Sequence, residues 1–148
     1  MWLPDSSTGG TGCLLGNCRC PTGQTDCSGT CRDLQNDMKK QGRPWCIGKG
    51  FDHSAPIGPI TPAEQAGDIE NAEIWLKVNG QDRQRSNVSK LIWNIGETIE
   101  HLSAAWELQP GDLVYTGTPE GVAAVVAGDT LEGGVGGLTG IKVKVQAA

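Results

Sequence analysis

Between Glu73 and Val78 the apolar residues Ile74, Leu76 and Val78 fall on one side of an extended chain, whose side chains alternate faces. Asn79-Gly80 follows, the dipeptide that best suits a tight hairpin turn, and the chain returns through Gln81 to Arg85. The pattern predicts a β-hairpin. Further on, Ile92, Ile95, Ile99, Leu102 and Trp106 recur at spacings of three and four, which predicts one helix whose apolar stripe packs on the sheet, with Gly96 interrupting its start. A shorter helix is expected over Arg32–Gly42, where Leu34 and Met38 share a face and Gly42 and Pro44 close the element. Pro110-Gly111 turns the chain into "DLVYTGTPEGV", read as a strand entering a glycine-punctuated loop. Gly128-Asp129 and Gly133-Gly134 to Gly137 read as further turns. Ile141, Val143 and Val145 alternate with lysines as a closing strand. The sum is a mainly β domain with two or so short helices.

At 148 residues the chain is about one domain, able to bury roughly 70% of its unfolded surface. A net charge of -5 excludes a phosphate-tracking face, because nucleic-acid binders need basic groups that displace counterions. No apolar run approaches the roughly 20 residues of a membrane-spanning helix, and no basic-then-apolar leader opens the chain. The expectation is a soluble, cytoplasmic protein with neither nucleic acid nor membrane as partner.

The cysteines divide the chain. Cys13, Cys18, Cys20, Cys27 and Cys31 precede Asp33, and only Cys46 follows. Residues 1–31 are dominated by Gly, Thr, Ser, Cys and Pro, with Trp2, Leu3, Leu14 and Leu15 as nearly the only large apolar side chains, too few to offset the entropy of ordering the segment. This atypical segment is expected to be poorly ordered, and 32–148 forms the domain. The cysteine spacings lack the paired C-x2-C of a structural zinc site, and no histidine occurs before His53. A disulfide framework does not suit a chain of cytosolic character. The acceptor triplet Asn87-Val88-Ser89 has no secretory context in which to be glycosylated. His101, two positions from Ile99, faces solvent in the expected helix, while His53 stands in a loop rich in Gly and Pro.

That loop, "KGFDHSAPIGPI", carries Lys49 in front of two prolines, Pro56 and Pro59. It reads either as a rigid corner or as a device for aiming a cation. "RDLQ" adds Arg32 and Gln35, and "YTGTPEG" adds Thr116 and Thr118; cation, amide and hydroxyl together suit a carboxylated ligand. Singly, each has a plain structural reading as ion pair, helix surface or turn.

The order "RDLQ", "GRPW", "KGFDHSAPIGPI", "LKVNG", "LSAAWELQPGDLVYTGTPEGVAAVVAGD" resembles the fumarylacetoacetate hydrolase family from Arg32 to about Val145, most of all its branch of bacterial acylpyruvate and fumarylpyruvate hydrolases. The resemblance implies a mixed β-sandwich roll of that family's C-terminal type, N-terminally incomplete here, and a homodimer. It implies hydrolysis of a carbon-carbon bond in an acylpyruvate, in aromatic-compound catabolism, with Mg²⁺ or Mn²⁺ as cofactor and a small keto acid as ligand. Oxaloacetate decarboxylase or diketo-acid isomerase chemistry, or an inactive fragment, are its alternatives. By the same resemblance Lys49 is catalytic, aimed at the enolate oxygen, and Arg32, Gln35, Gly117 and Thr118 bind substrate.

The chain departs from the family pattern at the metal. Relatives use a Glu-x-Glu pair and an Asp, whereas no Glu precedes Glu64 here. The family Asp position falls on Ser28, leaving Asp26, two residues early, as the candidate metal ligand. The expectation is therefore weak or absent metal binding and impaired turnover, with residues 1–31 either a divergent terminus or the product of a shifted reading frame.

Overall fold

A computed structural model of the chain describes residues 25–26, 30–51 and 53–146. The expectation of poor order over 1–31 falls almost wholly outside the described residues. Inside them, Thr25–Asp26 forms a short strand, β1, and Thr30 and Cys31 are fully buried just ahead of the first helix. Cys31 is disulfide-bonded, which departs from the expectation of a chain without bridges. Bridging depends on which Cβ atoms the fold brings within about 4 Å, and composition does not report that.

Helix α1, Arg32–Lys40, bears out the first helical expectation. Asp33 in its first turn and Lys39 and Lys40 in its last complement the helix dipole. It ends in a Schellman closure: Gly42, at φ 64°, donates to the Lys39 carbonyl, and Arg43 donates to that of Met38. A one-turn helix, α2, Cys46–Lys49, follows. Lys49 thus ends a helical turn and does not ride in the proline loop beyond it.

Strands β2, Glu73–Val78, and β3, Gln81–Asn87, form the expected hairpin. Asn79 at φ 51° and Gly80 at φ 79° give the left-handed pair that a two-residue turn needs. Helix α3 spans Ile95–Ser103, strand β4 Ala124–Val125, strand β5 Thr130–Val135 and strand β6 Ile141–Lys144. The main sheet is antiparallel in the order β3-β2-β5-β6, while β1 and β4 pair separately. The hairpin turn is stitched to the start of β5: Asn79 donates through Nδ2 to Asp129 Oδ1 at 2.8 Å and accepts from the Thr130 amide at 2.9 Å. Val78, Val125 and Val145 form the buried cluster, with Leu131 against it. It joins β2, β4, β5 and the end of β6.

Three expectations are corrected. Gly133-Gly134 lies within β5 and not in a turn, because it sits across from Leu76 and Trp75. A Cβ on Gly134 would stand 3.2 Å from the Trp75 ring, and one on Gly133 would stand 3.1 Å from Leu76 Cδ1. Glycine there makes room for large cross-strand neighbours. The long apolar stripe is also shorter than its spacing suggests. Asn94 starts α3 with a reciprocal capping box to Glu97, which fixes the first turn at Ile95 and leaves Ile92 outside the helix, 96% exposed. Trp106 lies beyond the last turn and is exposed, so neither end of the stripe covers the sheet. Finally, the strand expected to open "DLVYTGTPEGV" is only an isolated bridge at Leu113, and the chain from Asp112 to Gly121 is irregular, in its second part the loop that was expected. No helix among the described residues is long and apolar enough to cross a membrane.

Candidate functional site

The first turn of α1 places Arg32 and Gln35 one turn apart, and Arg32 Nη1 donates to Gln35 Oε1 at 2.8 Å. Gln35 is buried although it is polar. Its burial follows from the approach of α2: the Cys31 amide donates to the Gly48 carbonyl at 3.0 Å, and a Cβ on Gly48 would meet Gln35 N at 3.0 Å and Cys31 O at 3.1 Å. Glycine is what lets the two backbones touch. The next residue, Lys49, then reaches back, and its Nζ donates to Thr30 Oγ1 at 2.8 Å. Lys49, Arg32 and Gln35 therefore gather at the junction of α1 and α2, as three residues of one candidate site.

Gly117 and Thr118 form a second group. Gly117 has φ 90°, a backbone conformation that glycine accepts readily, and nothing lies within 4 Å of where a Cβ would stand. The Thr118 hydroxyl lies 2.9 Å from Gln84 Nε2 and 3.2 Å from Gln84 Oε1. Thr118 and Gln84 line a largely apolar cavity of about 460 Å³ with Ile57, Trp75, Leu113 and Ile141. Arg32, Gln35 and Lys49 are not among its lining residues. The two groups are linked through the loop after Lys49, since Tyr115 Oη donates to the Ala55 carbonyl at 3.2 Å.

Asp26 lies in β1 with its Cα paired to that of Ala124. Ser28 is outside the described residues. His53 is exposed at φ 62°, and His101 is exposed with its ring stacked on Trp93 at 4.1 Å between centroids. Thr30 and Gln84 escape a reading of the sequence. Thr30 belongs to a run of small polar residues, and Gln84 follows Gln81, Asp82 and Arg83 in a strand of polar residues. Only its single buried position within the mostly exposed strand distinguishes it.

No group of three or more His, Cys, Asp or Glu side chains converges as a metal site among the described residues. Asp33 Oδ1 is buried without a hydrogen-bond partner, yet it is one oxygen where Ca²⁺ or Mg²⁺ takes about six. These residues do not fit a metal by themselves.

Comparison with known proteins gives a consistent picture. The sequence model described as fumarylacetoacetate (FAA) hydrolase, C-terminal, matches residues 25–146, a start upstream of Arg32 that takes in β1. A fumarylpyruvate hydrolase of Ralstonia sp is 50% identical over 119 residues, covering 80% of this chain and 62% of that protein. The mitochondrial oxaloacetate tautomerase FAHD1 of Homo sapiens is 39% identical over 117 residues, covering 79% of this chain and 53% of that protein. The crystal structure of fumarylpyruvate hydrolase from Pseudomonas aeruginosa with Mn²⁺ and pyruvate superposes with a TM-score of 0.77 at 54% identity, over 80% of this chain and 51% of that one. The chain thus spans between half and two thirds of the length of these three relatives.

Proposed function

The chain belongs to the fumarylacetoacetate hydrolase family, and from that premise we propose that its α1–α2 junction is the keto-acid-binding part of an acylpyruvate hydrolase. The observation that carries this reading is the gathering of Lys49, Arg32 and Gln35 through the contacts Arg32–Gln35, Cys31–Gly48 and Lys49–Thr30. Two cations and an amide offer donors to a carboxylate and an adjacent keto oxygen. Attraction at so exposed a surface is modest and falls with salt.

In the proposed reaction water adds to the acyl carbonyl of an acylpyruvate. The bond between that carbon and the methylene carbon breaks, and its electron pair passes to pyruvate as the enolate. Protonation gives pyruvate beside a carboxylic acid. The negative charge develops on the enolate oxygen, where the Lys49 ammonium supplies electrostatic stabilisation that is stronger in the transition state than in the ground state. Arg32 and Gln35 offer donors to the keto acid from the junction, and Thr118, whose loop is tied to the segment after Lys49 by Tyr115 and the Ala55 carbonyl, offers a hydroxyl to its carboxylate from the neighbouring cavity. A divalent cation, Mg²⁺ or Mn²⁺, belongs to this reading and would supply Lewis-acid chemistry when bound, and Asp26 is its proposed ligand in this chain. The oxygen set among the described residues does not complete a site, so weak metal binding and little turnover are expected. Cytoplasmic residence, a role in aromatic catabolism and a homodimeric assembly are parts of the same proposal.

A second reading, keto-enol isomerisation of a keto diacid, uses the same enolate without water, and the likeness to an oxaloacetate tautomerase favours keeping it. The test uses the full 148-residue chain. Calorimetry with pyruvate is expected to show weak, salt-sensitive binding that Lys49→Ala removes. Loss of diketone absorbance from acetylpyruvate or fumarylpyruvate is expected to be negligible with or without Mg²⁺ or Mn²⁺. Absence of pyruvate binding, or binding indifferent to Lys49→Ala, overturns the keto-acid reading. Metal-dependent turnover would show that the ligands are complete after all, with Asp26 and Asp33 the first to substitute.

A further inference from the structure

Gln84 is the one buried side chain of β3, 4% exposed, in a strand otherwise turned largely to solvent. Its position is set by an irregularity in the hairpin. Leu76 pairs with Gln84 but the next residue, Lys77, pairs with Asp82, so Arg83 is an extra residue without a partner on β2. Such a bulge turns the strand locally and re-aims its neighbours.

What the bulge faces is the loop of Gly117 to Gly121. A Cβ on Gly121, which has φ 94°, would overlap the carbonyl oxygen of Arg83. The Gln84 amide nitrogen donates to the Pro119 carbonyl at 2.6 Å, to Thr118 Oγ1 at 2.9 Å and, at the longer distance of 3.3 Å, to the Glu120 carbonyl. Carbonyl oxygens only accept, so the side-chain amide must present its nitrogen to this loop. Of these three partners the Pro119 carbonyl and Thr118 Oγ1 lie nearest, so Thr118 Oγ1 accepts from the Gln84 amide. Its own proton is left with the Gln84 oxygen at 3.2 Å, the longest link between these two residues, or with an acceptor in the cavity that both residues line.

We propose that Gln84 is a positioning residue: it fixes the 117–121 loop on the bulged strand and orients the Thr118 hydroxyl as a hydrogen-bond donor to a carboxylate in the cavity. The ligand half of this statement rests on the keto-acid reading above; the loop half does not. A carboxylate competes well for the hydroxyl proton because its bond is charge-assisted and shorter than the existing one.

Gln84→Glu is the decisive substitution, since it keeps shape and volume while reversing the hydrogen-bonding sense. A carboxylate cannot donate to the Pro119 and Glu120 carbonyls, and it draws the Thr118 proton to itself. The full chain is compared with Gln84→Glu, Gln84→Asn, Thr118→Val, Thr118→Ser, Lys49→Ala and the double substitution Gln84→Glu with Thr118→Val. Two readouts are taken: hydrogen exchange of the amides of Thr118, Glu120 and Gly121, and pyruvate affinity by calorimetry. Gln84→Glu is expected to lose loop protection and about tenfold or more in pyruvate affinity, the scale of one hydrogen bond to a charged group. Thr118→Ser, which keeps the hydroxyl, should retain more affinity than Thr118→Val, Gln84→Asn should fall between parent and Gln84→Glu, and Gln84→Glu should cost nothing further once Thr118 is valine.

Unchanged loop protection in Gln84→Glu overturns the anchoring. Loosened loop amides with unchanged pyruvate affinity, in a chain whose binding Lys49→Ala abolishes, overturn the orientation of Thr118. An additive loss in the double variant does the same. If the parent binds no pyruvate, the keto-acid reading and the ligand half fail together, and the exchange data alone decide the anchor.

Discussion

Lys49 Nζ donates to Thr30 Oγ1 at 2.8 Å, so the end of α2 is tied to a fully buried hydroxyl two residues ahead of α1. Thr30→Val keeps the volume and removes the acceptor. Because Lys49 is exposed, water can take the place of the lost partner, and the stability cost is expected to be about 1 kcal/mol in urea unfolding. The larger effect should fall on pyruvate affinity, as the freed ammonium samples many rotamers. A variant that binds pyruvate like the parent would show that this contact does not aim Lys49.

The closeness of α1 and α2 depends on Gly48. A methyl group there would sit 3.0 Å from Gln35 N and 3.1 Å from Cys31 O, both backbone atoms that cannot swing aside. Gly48→Ala should therefore cost about 1–3 kcal/mol, as over-packing does, and should separate Lys49 from Arg32 and Gln35. Retained stability together with parental pyruvate binding would contradict the close approach.

Asp129 is held below the usual carboxylate range by the Val126 amide first and then by the Asn79 side chain, both of which it accepts from. A depressed folded-state pKa means that the aspartate stabilises the fold above its unfolded pKa, and that this contribution is lost as pH falls through the lower, folded value. The β2–β3 turn should therefore loosen only in acid, below the ordinary aspartate titration. Hydrogen exchange at Thr130 and Asn79 checks this against Asp129→Asn, which should be looser at neutral pH and insensitive to acid.

The capping box of Asn94 and Glu97 defines where α3 begins. Asn94→Ala should cost about 0.5–2 kcal/mol locally, read as faster amide exchange at Glu97 and Thr98 with little change in the sheet. Equal loosening of β2 and β5 would mean that α3 supports the sheet more closely than its exposed flanks suggest.

Period and turn chemistry determined much of this protein from the sequence alone. Asn79-Gly80 fixed the hairpin because few dipeptides accept two left-handed residues, and the alternation of Ile74, Leu76 and Val78 set its register. Gly42 ended α1 for the same local reason. The motifs also drew attention to Arg32, Gln35 and Lys49 together.

Tertiary structure decided the rest, because it turns on neighbours distant in sequence. Gly133-Gly134 reads as a turn until Trp75 and Leu76 are placed across from it. A stripe from Ile92 to Trp106 has helical spacing throughout, but a local capping box confines the helix to its middle. Gln84 is one polar residue among several, and only the bulge at Arg83 and the loop it meets bury it against Thr118. Hydrogen-bond partners 34 residues away leave no local trace in composition or period, whereas turn and helix-end geometry is written into adjacent residues.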